Sequence, residues 1–348
     1  MKLALLSITL FLCIGVFAQE INGGPVNTQN GGVIDGIYVQ EHIPTKRMIP
    51  YEFVREADVM FQKRVWRTID LREKINHPLY FPHDDYSPMG EWIRNTNRWA
   101  LWTVLKAHIL KGDLVMYENV NPNYMIGEPD GDLFKYPIDK PAPGKNFQTD
   151  SNFRSKAILK LAAIKKKFND DGSPTIEKDP VTGDEITDMV NGVPTPRLAP
   201  PDTVWIKSKD IVEYRIKEDW FFDKERSQFD CRILGIAPVV YVDEKSYFVS
   251  ADDADKSKIA KKDILFWLYF PHIRFVLANY NVYNQKNDAN WMSFDDLFQK
   301  RMFSSTIYKQ SNIFDRSLDS YKSGIEALYE SQRITEELRN FEHDLWHF

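Results

Sequence analysis

Cysteine is almost absent from this 348-residue chain, which has two, Cys13 and Cys231. That excludes a disulfide-stapled scaffold. A strong excess of one charge is missing too. Lys and Arg number 45 against 50 Asp and Glu, a formal charge of −5, which is too near neutral for a dedicated nucleic-acid binder. Past residue 17 no apolar run approaches the ~18 residues needed to cross a bilayer, so no direct membrane span is expected. Gly-rich phosphate loops, Gly-x-Ser-x-Gly elbows, Cys-x-x-Cys pairs and His-Glu-x-x-His are all absent. An enzyme would have to use a site that the sequence conceals, and no cofactor is expected.

What the chain does have is aromatics: 9 Trp, 16 Tyr and 22 Phe. With 43% hydrophobic and 27% charged residues, it reads as a soluble globular protein rather than a disordered or membrane one.

The first residues read as an address. Lys2 precedes an apolar stretch from Leu3 to Phe17, and Val16-Phe17-Ala18 sets small residues before a cleavage between Ala18 and Gln19. Residues 1–18 are therefore expected to be a secretory signal peptide. Cys13 lies inside its apolar region without the small residues of a lipoprotein signal, and leaves with it. The remaining 330 residues carry a net charge of −6 and a single thiol. Cys231 sits in the run from Phe229 to Ile236 and is expected to be buried and inert.

Residues 19–48 are rich in Gly, Asn, Gln and Pro and read as a flexible arm. Residues 49–112 read as a helical region. Val54, Ala57, Phe61, Val65 and Ile69 recur at spacings of three and four. A second helix, about Ser87 to Leu110, has apolar residues around most of its circumference and ends before Gly112. Residues 113–202 mix a short strand at Leu114–Tyr117, two long Pro-rich loops and one basic helix, Phe153 to Phe168. Residues 203–287 turn to period two, as at Val212, Tyr214 and Ile216, and predict an antiparallel β-rich core. Within it, 264–278 is apolar but broken by Pro271, and strand and helix both remain open. Residues 288–348 return to helix, with Ile334, Leu338, Phe341 and Leu345 on one face. The fold class is α+β: helices at both ends around a central antiparallel sheet, with long Pro-rich loops.

Candidate chemistry is sparse. His77 and His83-Asp84-Asp85 read as a solvated turn rather than a metal site. His343 and His347 share a helical face at a helix end, where the dipole favours them anyway. The carboxylate pairs Asp252/Asp253, Asp295/Asp296 and Glu336/Glu337 are adjacent in sequence, which does not face two carboxyls across a cleft. Charge layout says more. Residues 46–111 hold 12 basic and 8 acidic side chains, a net +4, whereas residues 288–348 hold 7 and 11, a net −4. Complementary ends of this kind can pair head to tail between copies.

Four segments carry a resemblance. They are Ile49 to Pro82 (IPYEFVREADVMFQKRVWRTIDLREKINHPLYFP), Glu225 to Pro238 (ERSQFDCRILGIAP), Met292 to Phe298 (MSFDDLF) and Phe303 to Arg316 (FSSTIYKQSNIFDR). In them the chain closely resembles the gliding-motility family GldN, also called PorN. The resemblance implies a non-enzymatic periplasmic core component of the type IX secretion system of Bacteroidota. Such a protein would form a ring of copies with an outer-membrane lipoprotein, GldK/PorK, and contact an inner-membrane motor protein, GldM/PorM. A periplasmic glycan-binding protein or hydrolase with a hidden site is the alternative. Arg64, Trp66 and Arg67 lie off the apolar stripe of the first predicted helix. Exposed, they suit a partner contact, which is the expectation; buried, they pair with local carboxylates. Asp202-Thr203-Val204 resembles the Asp-Ser/Thr-apolar O-glycosylation sequon of these bacteria and makes Thr203 a candidate acceptor.

Overall fold

A computed structural model describes residues 47–344 apart from 87–91, 94–97, 124–129, 166–174, 178–186, 191–192, 197–201, 244–247, 250–260, 288 and 291. The signal peptide with its Ala18/Gln19 cleavage, nearly all of the N-terminal arm, Asp252/Asp253 and His347 lie outside the described residues.

The segment after the arm corrects the helical reading of its spacing. Val59–Asp70 is a twelve-residue strand, β1. Its neighbours set the reason. β1 pairs antiparallel along nearly its whole length with β3, Ile211–Asp223, and on its other side with β7, Thr306–Gln310. Phe61, Val65 and Ile69 are four apart, which returns to one face of a strand as well as to one face of a helix. β-branched and aromatic side chains at Val59, Phe61, Val65, Trp66, Thr68 and Ile69 favour the extended form.

The β-rich reading of 203–287 holds at its centre. β3 turns through residues 224–227 into β4, Gln228–Val242, as one long hairpin. Two short strands follow, β5 (Lys261–Ile264) and β6 (Trp267–Tyr269), both paired to β4. With β2, Met116–Tyr117, the main sheet runs β7-β1-β3-β4-β6-β2, and every pairing is antiparallel. Pro271 resolves the open segment. It occupies the first turn of helix α3, Phe270–Leu277, directly after β6, where its missing N–H costs nothing.

Helices cover the sheet, so the class is α+β. Helix α1, Leu101–Lys111, is buried on most of its surface, as its apolar circumference predicts, but it starts later than the expected Ser87, because Trp92–Ile93 forms a short strand paired with Asp85–Tyr86. It stops at Gly112, which has φ +86°, and a Cβ there would lie 2.5 Å from Pro141. Helix α2 is Ser151–Leu161, capped by Asp150. It is shorter than the predicted basic helix, because Ala162–Lys165 leaves as a strand paired with Asp202–Trp205. α4 is Phe294–Gln299, with a capping box from Ser293 and Asp296. α5 is Ile325–Asp344.

One face of the sheet buries Ile69, Ile216 and Ile236 beneath α1, α2, α3 and α4. On that same face Val65, Ile307 and Leu318 receive Ile334 and Leu338 of α5, and Phe341 stacks on Phe61 at 4.2 Å. The opposite face carries Trp66, Ala237, Val239, Ile264 and Trp267, with Tyr117, Phe134 and Tyr308 packed against them. Each fully buried apolar side chain contributes about 1.5–3 kcal/mol.

Candidate partner-binding surface

Strand alternation separates the three residues expected to meet a partner. Arg67 shares a face with Val65, whereas Arg64 and Trp66 point the other way. They are not an exposed set, which corrects the premise of that expectation.

Arg67 is buried against α5. Its Nε donates to Glu218 Oε2 at 3.2 Å, and Glu218 has no exposed surface. The same carboxylate accepts from Arg301 Nη2 at 2.9 Å, from Trp220 Nε1 at 3.2 Å and from the Cys231 thiol at 3.6 Å. Burial lowers Arg67 from its ordinary value. Burial works against Arg301 as well, but Glu218 outweighs it and leaves Arg301 raised. Burial also pushes the Cys231 thiol well up, so this sulfur is a poor nucleophile. The hub is a desolvated ion cluster with its carboxylate and thiol fully engaged, suited to fixing the docking of α5 rather than to chemistry.

On the opposite face Arg64 holds Asp219 through two bonds of 2.6 and 2.7 Å, and Gln62 donates to the same carboxylate at 2.8 Å. Hydrogen bonding to Asp219 raises Arg64. Trp66 is 3% exposed and acts as a platform for two lysines. Lys309 Nζ lies 4.5 Å and Lys217 Nζ 5.8 Å from its ring. Phe134 and Trp267 complete an aromatic cage around Lys217, with Asp130 at 3.9 Å. Burial pulls the Lys217 amine down to about 8.

Exposed apolar side chains are scattered over the described residues, Phe53, Met60 and Leu159 among them, and recur at close sequence spacing in the turn after β7 and the first turns of α5. Ile313 is 97% and Phe314 74% exposed, and Ile325, Leu328 and Tyr329 form a solvent-facing stripe at spacings of three and four. The Arg316 guanidinium lies over both Phe314 (4.9 Å) and Tyr321 (4.7 Å), so these rings form one patch. Aromatic residues with arginine are the types enriched at protein interfaces, and the Phe314–Arg316–Tyr321 group has that composition. The sequence offered a signal for it, since the α5 pattern carries a second apolar stripe beside Ile334 and Leu338.

The remaining candidates are held in local structure. Asp84 is buried rather than solvated: it accepts from the Thr103 hydroxyl, and its N–H donates to Ser208 Oγ at 2.8 Å. His83 packs edge-on against Tyr80. Among the described residues no group of three His, Cys, Asp or Glu is arranged to hold a metal. A cleft of about 460 Å³ runs past Tyr51, Cys231 and Arg232 and contains several carboxylates. Each of its best-placed carboxylates has a local task. Asp295 pairs with Arg274 at 2.8 Å, Asp296 caps α4, and Asp223 accepts from Arg226 at 3.1 Å. Glu337 pairs with Arg333 and Glu336 accepts from Gln332 on the surface of α5. Thr203 is exposed on its short strand.

A buried charge cluster fixes the last helix on the sheet, and the exposed Phe314–Arg316–Tyr321 group has the composition of an interface. The family model described as gliding motility associated protein GldN matches residues 54–347, and the chain belongs to that family. It is thus a gliding-motility and type IX secretion-associated protein. No curated protein matches the chain, and no helix among the described residues is long and apolar enough to cross a membrane.

Proposed function

We propose that this protein is a non-enzymatic periplasmic subunit of the type IX secretion system. In that role it assembles as copies with the outer-membrane lipoprotein GldK/PorK into a ring and contacts the inner-membrane protein GldM/PorM. The observation that carries the reading is the run of exposed apolar side chains Ile313, Phe314, Ile325, Leu328 and Tyr329, with Arg316 stacked between Phe314 and Tyr321. Leaving so much apolar surface wet is unfavourable for a lone chain and favourable for one that is normally covered. The N-terminal leader expected at residues 1–18 supports export, and the secretion-linked family supports the assembly.

The test is co-purification with the lipoprotein and the motor protein from cells carrying Phe314→Asp with Leu328→Asp. Loss of either partner together with loss of secretion is expected. Unchanged recovery of both partners and normal secretion would remove this patch from the assembly.

A further inference from the structure

Beyond Asp70 the chain makes one helical turn, His77–Tyr80, whose place is fixed by the buried Asn76. The Asn76 amide donates to the Asp70 carbonyl at 2.8 Å and to the Ser304 carbonyl at 3.0 Å, and its oxygen accepts from Ser304 N. This turn and the segment after β-paired Asn281–Val282 enclose an open groove of about 630 Å³. Its lining includes Lys74, His77, Phe81, Pro82, Arg98 and Tyr283. Phe81 and Tyr283 are both exposed, His77 meets Phe81 edge-on, and Arg98 lies 5.0 Å over the Tyr283 ring. None of the described lining residues is acidic, and neither Lys74 nor Arg98 has an ion-pair partner among the described residues. The groove is therefore aromatic and cationic.

The opposite chemistry lies at the other end of the chain. α5 closes with Glu342-His343-Asp344, and the sequence continues Leu345-Trp346-His347-Phe348. That segment is acidic and then aromatic, the complement of the groove in both respects. Where α5 ends, it lies away from the groove of its own chain. Phe341 stacks on Phe61 near the start of β1, whereas Asn76 ties the groove to Asp70 at the end of that strand. Nine residue steps at ~3.3 Å put those two points about 30 Å apart.

We infer that the groove of His77, Phe81, Arg98 and Tyr283 receives the acidic, aromatic segment Glu342–Phe348 of a second copy of this chain. Groove and tail are different surfaces, so the contact is heterologous, and repeating it makes a closed ring or an open filament according to the rotation per step. The inference rests on the reading that copies assemble, and it names the surfaces that meet.

The test titrates the full chain into a fluorescently labelled synthetic peptide of residues 336–348. Saturable binding is expected, weakened about ten-fold or more when Lys74→Glu and Arg98→Glu are combined. Binding is restored when the peptide offered to that variant carries Glu342→Lys and Asp344→Lys. The same lysine peptide offered to the unaltered chain loses binding, a comparison that leaves the fold untouched, and Phe81→Ala weakens binding with every charge in place. Absent binding, binding indifferent to the reversals, or failure of the charge swap to restore it overturns the contact. Peptide binding that fails while the partners still co-purify through the Phe314 patch removes this contact alone. Partners that fail to co-purify while the peptide binds as expected remove the secretion reading alone.

Discussion

The Arg67 guanidinium meets Glu218 at 3.2 Å in the space between β1, β3 and the final helix, where the carboxylate has no exposed surface. Burying two charges costs several kcal/mol each, and the pair persists because Arg301, Trp220 and Cys231 also bond the carboxylate. Removing Arg67 takes away one of the two cations on the buried carboxylate and leaves Arg301 as its ion-pair partner. Arg67→Leu is therefore expected to destabilise the fold by about 1–3 kcal/mol, the cost of a lost buried hydrogen bond to a charged group. Urea unfolding followed by tryptophan fluorescence measures it. Adding Glu218→Gln to Arg67→Leu should cost clearly less than the sum of the two single changes, because both remove the same Arg67–Glu218 interaction. Strict additivity would show that the two residues do not act as one unit.

The exposed patch should behave in the reverse way. Phe314 and Leu328 are both largely exposed, so Phe314→Asp and Leu328→Asp are expected to shift unfolding free energy by no more than about 0.5 kcal/mol. A loss of assembly with an unchanged melting curve is the signature of an interface. A drop in stability comparable to that of Arg67→Leu would assign these side chains to the core.

Much of the core was legible from the chain. The even-spaced Val212, Tyr214 and Ile216 and the stripe Ile334–Leu338–Phe341 appear as β3 and the buried face of α5. Phe61, Val65 and Ile69 misled because residues four apart share a face in both regular structures. The alternation of Gln62, Arg64, Trp66 and Thr68 with Lys63, Val65, Arg67 and Ile69 held the deciding information, masked because both faces of this central strand carry charge. The partner of Arg67 lies 151 residues away and that of Arg64 155 away, distances over which local pattern is silent. Asp84 failed for a related reason. Its burial depends on Thr103 and Ser208, which only the fold brings to it.

Cys231 offers a reagent-based check on the same hub. Burial raises its thiol well above the ordinary range, and its sulfur is wedged between Glu218 and Arg301, with Arg301 Nη1 at 3.3 Å. In a chain carrying Cys13→Ser, alkylation by iodoacetamide at pH 8 is expected to be at least about ten-fold slower in the folded state than in urea. Arg67→Leu, which loosens the hub, should raise the folded-state rate. Equal rates in both states would place the sulfur at an open surface.

Lys217 ties stability to pH, and the direction follows from its cage. Trp66, Phe134 and Trp267 exclude water from the amine, Asp130 at 3.9 Å offsets only part of the penalty, and the folded value falls to about 8. In the unfolded chain a lysine titrates near ~10.4. Between those two values the unfolded chain binds the proton that the folded one has released, so stability rises with pH across that interval. Below about pH 8 both states are protonated, and the cost of the caged ammonium is constant and fully felt. Lys106, buried beneath Trp205 and also lowered to about 8, contributes a rise of the same sign. Lys217→Met should therefore flatten the rise without abolishing it. At pH 7 the substitution should also stabilise the fold, by about 1–4 kcal/mol, since it exchanges a desolvated charge for an apolar chain of similar shape. Guanidinium titrations of both proteins from pH 7 to 10 measure this, and a Lys217→Met profile parallel to the parent's would show that the cage holds no depressed amine.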